Sequence, residues 1–257
     1  MNTFGANIPD KIGHTITELE SVDSTNNYLS KLANETIVEN GSVILAHYQT
    51  NGRGQRGNTW ESEAGSNLTF SLFLDTSFLK LSQNFLLSMM VCNSVHELIS
   101  DYTDKSEIKW PNDLLIERKK VCGILIENSI QKNHLSKSII GIGLNVSQRQ
   151  FAEKNSATSL QIHSNKELDK KEVLKKLLTI LDKNYAILSQ GNQLAIKNYY
   201  YEYLTGYKTE LPYEWTDSKE RFIGEILEVE DTGLIRMKIN QKKIRMIELK
   251  EIRLLDN

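Results

Sequence analysis

The sequence has 257 residues, of which 39% are hydrophobic and 25% charged, a composition typical of a globular protein with one sizeable domain and room for a small one. Its formal net charge of −2 offers no general attraction for nucleic acid, so any recognition of anions has to be local. No apolar run approaches the roughly 20 residues that span a bilayer, and the N-terminus lacks the features of a signal peptide, so we expect a cytoplasmic protein.

The first half of the chain predicts two strands that flank a Gly-rich loop. A short extended segment leads into a helix that begins at Asp23 or Ser24, because Tyr28, Leu29 and Leu32 follow at helical spacing. Residues 42–49 and 66–75 have the character of strands, so the stretch GRGQRGNTW at residues 52–60 joins two strands. A long helix with one apolar face is predicted over residues 81–100.

The second half predicts further strands, two helices and a small β domain. Three strand-like runs, IKWPNDLLI, KKVCGILIENSI and SIIGIGLNV, lie within residues 108–146, and a short polar turn between the first two predicts a hairpin. Helices are expected over residues 171–188 and 193–204. After Gly206 short strands and a turn at residues 231–233 predict an all-β domain. The predicted fold class is α+β, with a mixed or antiparallel sheet flanked by helices and domains at 1–205 and 206–257.

Two cysteines, Cys92 and Cys122, lie in apolar stretches without the spacing of a metal site. They are predicted to be buried free thiols.

The stretch GRGQRG predicts an anion-binding loop. Glycine loses more backbone freedom on ordering than any other residue, so this loop should be mobile unless a ligand orders it. Backbone amides and the guanidinium groups of Arg53 and Arg56 suit a phosphate. A solvated basic loop is the alternative, and the stretch matches neither the phosphate-loop pattern nor a dinucleotide fingerprint.

A second cluster of polar residues surrounds the predicted hairpin in KWPNDLLIERKKVCGILIE. Asp113 could bind Mg²⁺ or orient an attacking amine. Because side chains alternate along a strand, Lys120 can point inward, where it needs an anionic partner, while Lys119 points to solvent. A charged hairpin tip is the alternative. Glycines interrupt the neighbouring strands at positions 123, 141 and 143, which indicates a close approach by a backbone or a ligand, or simply core packing.

Four motifs together resemble the biotin protein ligase family. They are DSTNNYL, QTNGRGQRGNTWES, KWPNDLLIERKKVCGILIE and GIGLNV, in this order within residues 23–146, and the β-rich tail resembles the small SH3-like domain of such ligases. The resemblance implies a catalytic domain related to class II aminoacyl-tRNA synthetases and lipoate ligases. It implies an ATP-dependent reaction in which biotin is adenylated and then transferred to a lysine of the biotin carrier domain of a carboxylase, with Mg²⁺ accompanying ATP and no tightly bound cofactor.

The resemblance also implies roles for individual residues. Biotin would contact Ser24, Thr25, Asn26, Gln49, Arg53, Gly54, Gln55, Lys120, Gly123, Gly141 and Gly143. ATP and the adenylate would contact Arg53, Arg56, Trp60, Lys109, Asn112, Asp113, Lys120 and Asn145. The catalytic group would be Lys120, Arg53, Arg56 and Asp113, with Asp113 as the candidate Mg²⁺ ligand.

Two features depart from many bacterial members of that family. Gln55 stands where they have a third arginine, so the grip on biotinyl-AMP should be looser. Only about 20 residues precede DSTNNYL, too few for a helix-turn-helix domain, so we expect no DNA binding. A lipoate ligase, an octanoyltransferase or a non-catalytic biotin-binding module remain alternatives, and the chain could be a monomer or a homodimer.

Overall fold

The structure is a computed structural model that describes residues 12–152 and 156–255, except the side chain of Arg56. The expectation that the chain has no signal peptide rests partly on the first 11 residues, which lie outside the described part. The predicted contact of the Arg56 side chain with ATP also lies outside it.

A mixed seven-stranded sheet forms the centre of the fold, in the order β1-β2-β3-β7-β6-β5-β4. Only β1 and β2 are parallel, and every other neighbouring pair is antiparallel. The strands are β1 (Ile16–Val22), β2 (Val43–Gln49), β3 (Leu68–Asp75), β4 (Ser106–Lys109), β5 (Asp113–Ile116), β6 (Lys119–Gln131) and β7 (His134–Leu144). The predicted mixed sheet is confirmed.

Alternation along the strands gives this sheet two different faces. On β3, Leu68, Phe70, Leu72 and Leu74 are buried in the main core, while Thr69 and Ser71 face the other way. The same period on β7 sends Ile140, Ile142 and Leu144 into the core and leaves Gly141 and Gly143 beneath a cavity. One face of the sheet is therefore packed in the main core, and part of the opposite, more polar face lines the cavity.

The described residues form five α-helices: α1 (Thr25–Glu35), α2 (Asn84–Ile99), α3 (Leu160–His163), α4 (Lys170–Ser189) and α5 (Gln193–Tyr203). Helix α1 packs on β2, β3 and β7, and its Leu29 forms a small apolar cluster with Ile44 and Ile139 of the strands. Helix α2 contacts β4, β5 and β6 on one side and α4 and α5 on the other, which explains why it is almost entirely buried. It is a central layer between the sheet and the outer helices.

A second, antiparallel sheet follows α5, with strands in the order β11-β10-β9-β8-β12. These are β8 (Glu210–Trp215), β9 (Arg221–Val229), β10 (Ile235–Ile239), β11 (Lys243–Ile247) and β12 (Ile252–Leu254). The predicted turn at residues 231–233 joins β9 to β10, and Gly233 takes a φ of +93°, a conformation that favours glycine. The predicted C-terminal β region is confirmed.

The run IKWPNDLLI differs from its prediction as one continuous strand. It forms two short antiparallel strands, β4 and β5, with Lys109 paired to Asp113 and residues 110–112 as the turn. Pro111 has no N–H to give to a strand ladder, so the run divides there. The next turn forms the predicted hairpin between β5 and β6, with φ values of 49° at Glu117 and 68° at Arg118, the pattern of a type I′ turn.

The predicted helix over residues 81–100 also divides, into a 3₁₀ turn at Leu81–Gln83 and the helix α2. Helix α3 has no counterpart among the predictions. Cys92 and Cys122 are both buried free thiols, as predicted, and burial raises the pKa of each. None of the helices in the described part of the chain is long and apolar enough to cross a membrane.

Candidate active site

A cavity of about 650 Å³ lies over the polar face of the first sheet, beside α1 and against the second sheet. Most of the residues predicted to bind ligand line it: Ser24, Thr25, Asn26, Gln49, Arg53, Gly54, Gln55, Trp60, Lys109, Asn112, Asp113, Lys120, Gly123, Gly141 and Gly143. The fold thus brings together four motifs that are separated by up to about 120 residues in the sequence.

The start of α1 supplies a set of buried, uncharged hydrogen-bonding groups. Ser24, Thr25 and Asn26 are each no more than 3% exposed. Gln49 Oε1 accepts hydrogen bonds from the Thr25 backbone N–H at 2.8 Å and from its hydroxyl at 3.1 Å. The Ser71 hydroxyl lies 2.7 Å from Thr25 Oγ1 and 2.6 Å from Asn26 Oδ1. Ser24 is the N-cap residue of α1 but makes no side-chain cap bond, and it faces the cavity instead.

The Gly-rich loop closes on itself as a small hairpin. Trp60 N–H donates to Gly52 O at 2.9 Å, and Gly54 N–H donates to Asn58 O at 2.7 Å. A Cβ at Gly52 would lie 2.3 Å from Trp60 O, so this position admits only glycine without a shift of backbone. The loop that the composition predicts to be mobile therefore has backbone pairing of its own.

Arg53 projects from this hairpin toward α1 and β6. Its Nη2 donates to Glu127 Oε1 at 2.6 Å, and its Nη1 donates to Asn27 Oδ1 at 2.5 Å. Asn27 in turn donates to the Asp23 carboxylate at 2.7 Å, and this bond holds the pKa of Asp23 below its usual range. The guanidinium is thus anchored near the uncharged groups of α1.

Trp60 lies against the strand glycines. A Cβ on Gly143 would lie 2.3 Å from the indole Cε2, and a Cβ on Gly123 would lie 3.1 Å from Cζ3. At Gly141 the close neighbour is Asn26, whose Oδ1 would be 2.5 Å from an added Cβ. The glycines predicted to admit a backbone or a ligand therefore admit three protein side chains, those of Asn26, Trp60 and Lys120. Trp60 Nε1 is buried and has no hydrogen-bond partner among the described residues.

Lys120 points inward, as the strand alternation predicts, and Lys119 is exposed. Lys120 Nζ pairs with Asp113 Oδ1 at 2.6 Å, and it lies 5.7 Å from the centroid of the Trp60 ring. Asp113 is the one acidic residue among the described residues that line the cavity. Its position opposite Gly123 in the β5–β6 ladder places the pair directly beside the glycines.

Of the other residues predicted to bind the nucleotide, Asn112 and Lys109 line the cavity and Asn145 does not. Asn112 lines the cavity and donates from Nδ2 to Ile124 O at 2.6 Å, while Lys109 lines the cavity beside it. Asn145 is buried outside the cavity lining, and its Nδ2 donates to Thr158 O at 3.0 Å. Its Oδ1 has no hydrogen-bond partner among the described residues. A buried carbonyl oxygen in that condition is suited to accept from a ligand.

Sequence reasoning missed three contributions to this site. Ser71 and Glu127 complete the hydrogen-bond network around Asn26, and the second sheet provides one wall of the cavity through residues that include Tyr213, Ile235, Lys250 and Arg253. Trp110 Nε1 donates to Gly233 O at 3.0 Å and fixes the second sheet to the first. A signal existed for Glu127, because it shares a strand face with Gly123, but the sequence offers none for the second sheet.

The carboxylates near the cavity determine whether the expected Mg²⁺ could be bound there. No group of three or more His, Cys, Asp or Glu side chains that could hold a metal ion occurs within residues 12–152 and 156–255. Asp113 is a single carboxylate whose charge is balanced by Lys120. Because Mg²⁺ in nucleotide sites is commonly held by one or two carboxylates, water and the phosphates themselves, this donor set fits an ion that arrives with a nucleotide.

Comparison with known proteins gives consistent similarities. The family model described as the biotin/lipoate A/B protein ligase family matches residues 18–145. The bifunctional ligase/repressor BirA of Bacillus subtilis is 31% identical over 242 residues, which cover 91% of this chain and 73% of that protein. The biotin–[acetyl-CoA-carboxylase] ligase of Mycobacterium tuberculosis is 32% identical over 124 residues, covering 47% of this chain and 45% of that protein.

Solved structures show the same similarity over more of the chain. The biotin protein ligase from Aquifex aeolicus in complex with biotin and ATP superposes with a TM-score of 0.75 at 28% identity, covering 95% of this chain and 100% of that one. The biotin protein ligase from Leishmania major in complex with biotinyl-5-AMP has a TM-score of 0.62 at 19% identity and shows the fold alone.

Proposed function

This chain belongs to the biotin/lipoate A/B protein ligase family, and we propose that it is an ATP-dependent biotin protein ligase that forms biotinyl-AMP and transfers biotin to a lysine of a carrier domain. The similarity of the whole fold to a ligase with biotin and ATP supports the proposal, as do its curated relatives. The acceptor would be the biotin carrier domain of a carboxylase.

One observation carries the proposal: the order of groups along the strand glycines. Asn26 lies over Gly141 and Trp60 over Gly143, and Gly143 pairs with Gly123, beside which Lys120 Nζ lies. Residues two apart on a strand are separated by roughly 7 Å. The cavity therefore passes from buried neutral groups, across an indole, to an amino group, an order that suits an elongated acid with an uncharged polar head.

The first step would join two anions. The biotin carboxylate would attack the α-phosphorus of ATP, the bond to pyrophosphate would break, and negative charge would gather on the phosphoryl oxygens. Lys120 is placed to neutralise this charge, and one such donor in a water-poor site is worth roughly 3–4 kcal/mol of barrier. Asp113 would hold the Mg²⁺ that accompanies ATP, and that ion would supply further positive charge toward the phosphates.

The second step would need an uncharged amine. The acceptor lysine would lose one proton to solvent, its neutral amine would attack the acyl carbon and release a second proton to solvent, and AMP would leave with the electrons of the broken anhydride C–O bond. Once Lys120 engages the phosphate, Asp113 is free to orient this amine. The Gly-rich hairpin and the wall from the second sheet would limit entry of water, which would otherwise hydrolyse the anhydride.

ATP–pyrophosphate exchange tests the proposal. Purified protein with Mg²⁺ should exchange labelled pyrophosphate into ATP when biotin is added, and lipoate or octanoate should not support exchange. Exchange driven by lipoate instead would assign the chain to the lipoate branch of the family. No exchange with any of the three acids would overturn adenylation and leave a transferase or a non-catalytic binding protein.

Other features belong to the same proposal. A boundary near residue 205 would divide a catalytic domain (1–205) from a small β domain (206–257), which is supported by the end of α5 at Tyr203 and the start of β8 at Glu210. Because the reaction consumes ATP, the protein would act in the cytoplasm. Both a monomer and a homodimer are compatible with a cavity lined by a single chain.

A further inference from the structure

Glu127 connects the buried polar groups of α1 to the Gly-rich loop. Its Oε2 accepts a hydrogen bond from Asn26 Nδ2 at 2.8 Å, and its Oε1 accepts one from Arg53 Nη2 at 2.6 Å. Glu127 is not among the described residues that line the cavity, so it stands behind Asn26 and Arg53. We propose that Glu127 is a positioning residue that determines which polar atom Asn26 presents to the substrate, an inference that rests on the proposed biotin ligase function.

The hydrogen bonds of the Asn26 amide can be counted. A primary amide has two N–H donors and one oxygen with two lone pairs. Both donors are engaged by β6, one by Glu127 Oε2 and the other by Leu125 O at 3.4 Å. The oxygen accepts from the Ser71 hydroxyl at 2.6 Å. Among the residues that the structure describes, the remaining lone pair of Oδ1, above Gly141, is therefore the one hydrogen-bonding position of this buried side chain left unused.

The Glu127 carboxylate favours one of the two orientations of the Asn26 amide, the one in which Nδ2 faces the carboxylate. If the amide rotated by half a turn, Oδ1 would face the negatively charged Glu127 Oε2 and would lose a charge-assisted hydrogen bond. Arg53 holds the carboxylate itself in place, because it pairs with Oε1 and also donates to Asn27. The hydrogen bond to Leu125 O is longer and its acceptor is uncharged, so by itself it favours the same orientation of the Asn26 amide less strongly.

A fixed acceptor has a consequence for specificity. Asn26 Oδ1 would accept an N–H of a cyclic urea, and it would repel an isosteric ring in which that N–H is replaced by oxygen. A buried site built for one hydrogen bond discriminates strongly against an analogue that lacks the donor, because its own polar atom is left unpaired. Glu127 would thus set discrimination at a distance, without touching substrate.

Two variants weaken the contacts of Glu127 to different degrees. Glu127→Ala removes the partner of Asn26 and frees its amide to rotate. In Glu127→Gln the single amide oxygen can accept from only one of Arg53 and Asn26, and the NH₂ group must face the other, so the ion pair is lost and the orientation of Asn26 is held less firmly. Glu228→Ala is a matched control, because Glu228 pairs with Arg236 at the same 2.6 Å and its side chain is 45% exposed against 36% for Glu127.

The measurement is kcat/KM in biotin-driven ATP–pyrophosphate exchange, for biotin and for the two ring carbamates in which either urea N–H is replaced by oxygen. The wild type should reject at least one carbamate by about a hundredfold or more. In Glu127→Ala this ratio should fall by about tenfold or more, mainly through a raised KM for biotin; in Glu127→Gln it should fall less, and in Glu228→Ala it should stay within about threefold of the wild type.

Several outcomes would overturn the inference. A wild type that accepts both carbamates would show that Asn26 is not a fixed acceptor, and a Glu127→Ala enzyme with undiminished rejection would show that Glu127 does not fix it. Undiminished rejection in Glu127→Gln would overturn it as well, and this variant decides the inference if the Glu127→Ala chain fails to fold. Absence of biotin-driven exchange in the wild type would instead remove the proposed function.

Discussion

Lys120 and Asp113 form an ion pair of 2.6 Å on the β5–β6 hairpin, with the lysine beside Gly123 and the carboxylate opposite it in the ladder. The pair places one cation and one anion within a hydrogen-bond length of each other in the cavity. Each group therefore has a partner that a substrate phosphate or an incoming amine can replace. This arrangement makes Lys120 the natural first residue to test.

Lys120→Ala should abolish adenylation and leave the fold intact. The loss removes the cation that would offset phosphoryl charge, and a fall of at least about a hundredfold in biotin-driven pyrophosphate exchange is expected. Lys119→Ala is the matched control, because this neighbouring lysine is exposed and lies outside the cavity lining. Near-normal exchange in Lys120→Ala, with thermal unfolding like that of the wild type, would contradict the assignment.

Gly143→Ala should damage the site more than Gly123→Ala. The new Cβ at position 143 would lie 2.3 Å from the Trp60 indole and force that ring to move, whereas the Cβ at position 123 would have its nearest neighbours at 3.1 Å. We expect KM for biotin to rise by about tenfold or more in Gly143→Ala, because displaced ring atoms would narrow the cavity. Equal effects of the two substitutions would show that the Trp60 contact does not matter for binding.

Gln55→Arg should slow the escape of biotinyl-AMP. Gln55 lines the cavity at the tip of the hairpin and can donate a hydrogen bond without carrying charge. An arginine there would add a charged fork suited to phosphate, so release of the intermediate should be slower by about fivefold to tenfold. Single-turnover release of labelled biotinyl-AMP measures this rate. A wild-type rate no higher than that of the variant would refute the role of Gln55 in leakage.

His96 should make stability depend on pH below neutrality. It is 1% exposed, its ring bonds Tyr199 and Ser106, and burial lowers its pKa in the fold. The unfolded chain, with a histidine pKa of about 6.5, binds more protons below that value, so the free energy of unfolding should fall as pH decreases from about 6.5 toward the lowered pKa. Above about pH 6.5 the buried, neutral His96 no longer lowers the free energy of unfolding.

Denaturant unfolding at several pH values between 8 and 5 checks this. His96→Gln should flatten the curve by up to about 1.4 kcal/mol per pH unit within the window. His163→Gln, at a half-buried histidine whose pKa burial also lowers, should change the slope less. An unchanged slope in His96→Gln would exclude His96 as the source.

The sequence determined the elements that carry the site. Strand and helix periods located β2, β3, α1 and α4, because these patterns depend on neighbours a few residues away. Lys119 faces outward and Lys120 inward as predicted, but it is a register shift in the β5–β6 ladder that places Lys120 beside Gly123. The roles carried over by resemblance remain predictions. The run at residues 108–116 was mispredicted as one strand, since its apolar pattern outweighed the break at Pro111.

Tertiary structure alone decided which distant groups meet. The close neighbours of Gly141 and Gly143 are side chains from α1 and the Gly-rich loop, and the orientation of Asn26 is set by Glu127, about a hundred residues further along the chain. The second sheet forms one wall of the cavity and is fixed to the first sheet by the hydrogen bond from Trp110 to Gly233, for which no local pattern exists. Local propensity depends on a few successive residues, whereas these contacts depend on how strands pair and which faces pack together, and only the complete fold specifies that.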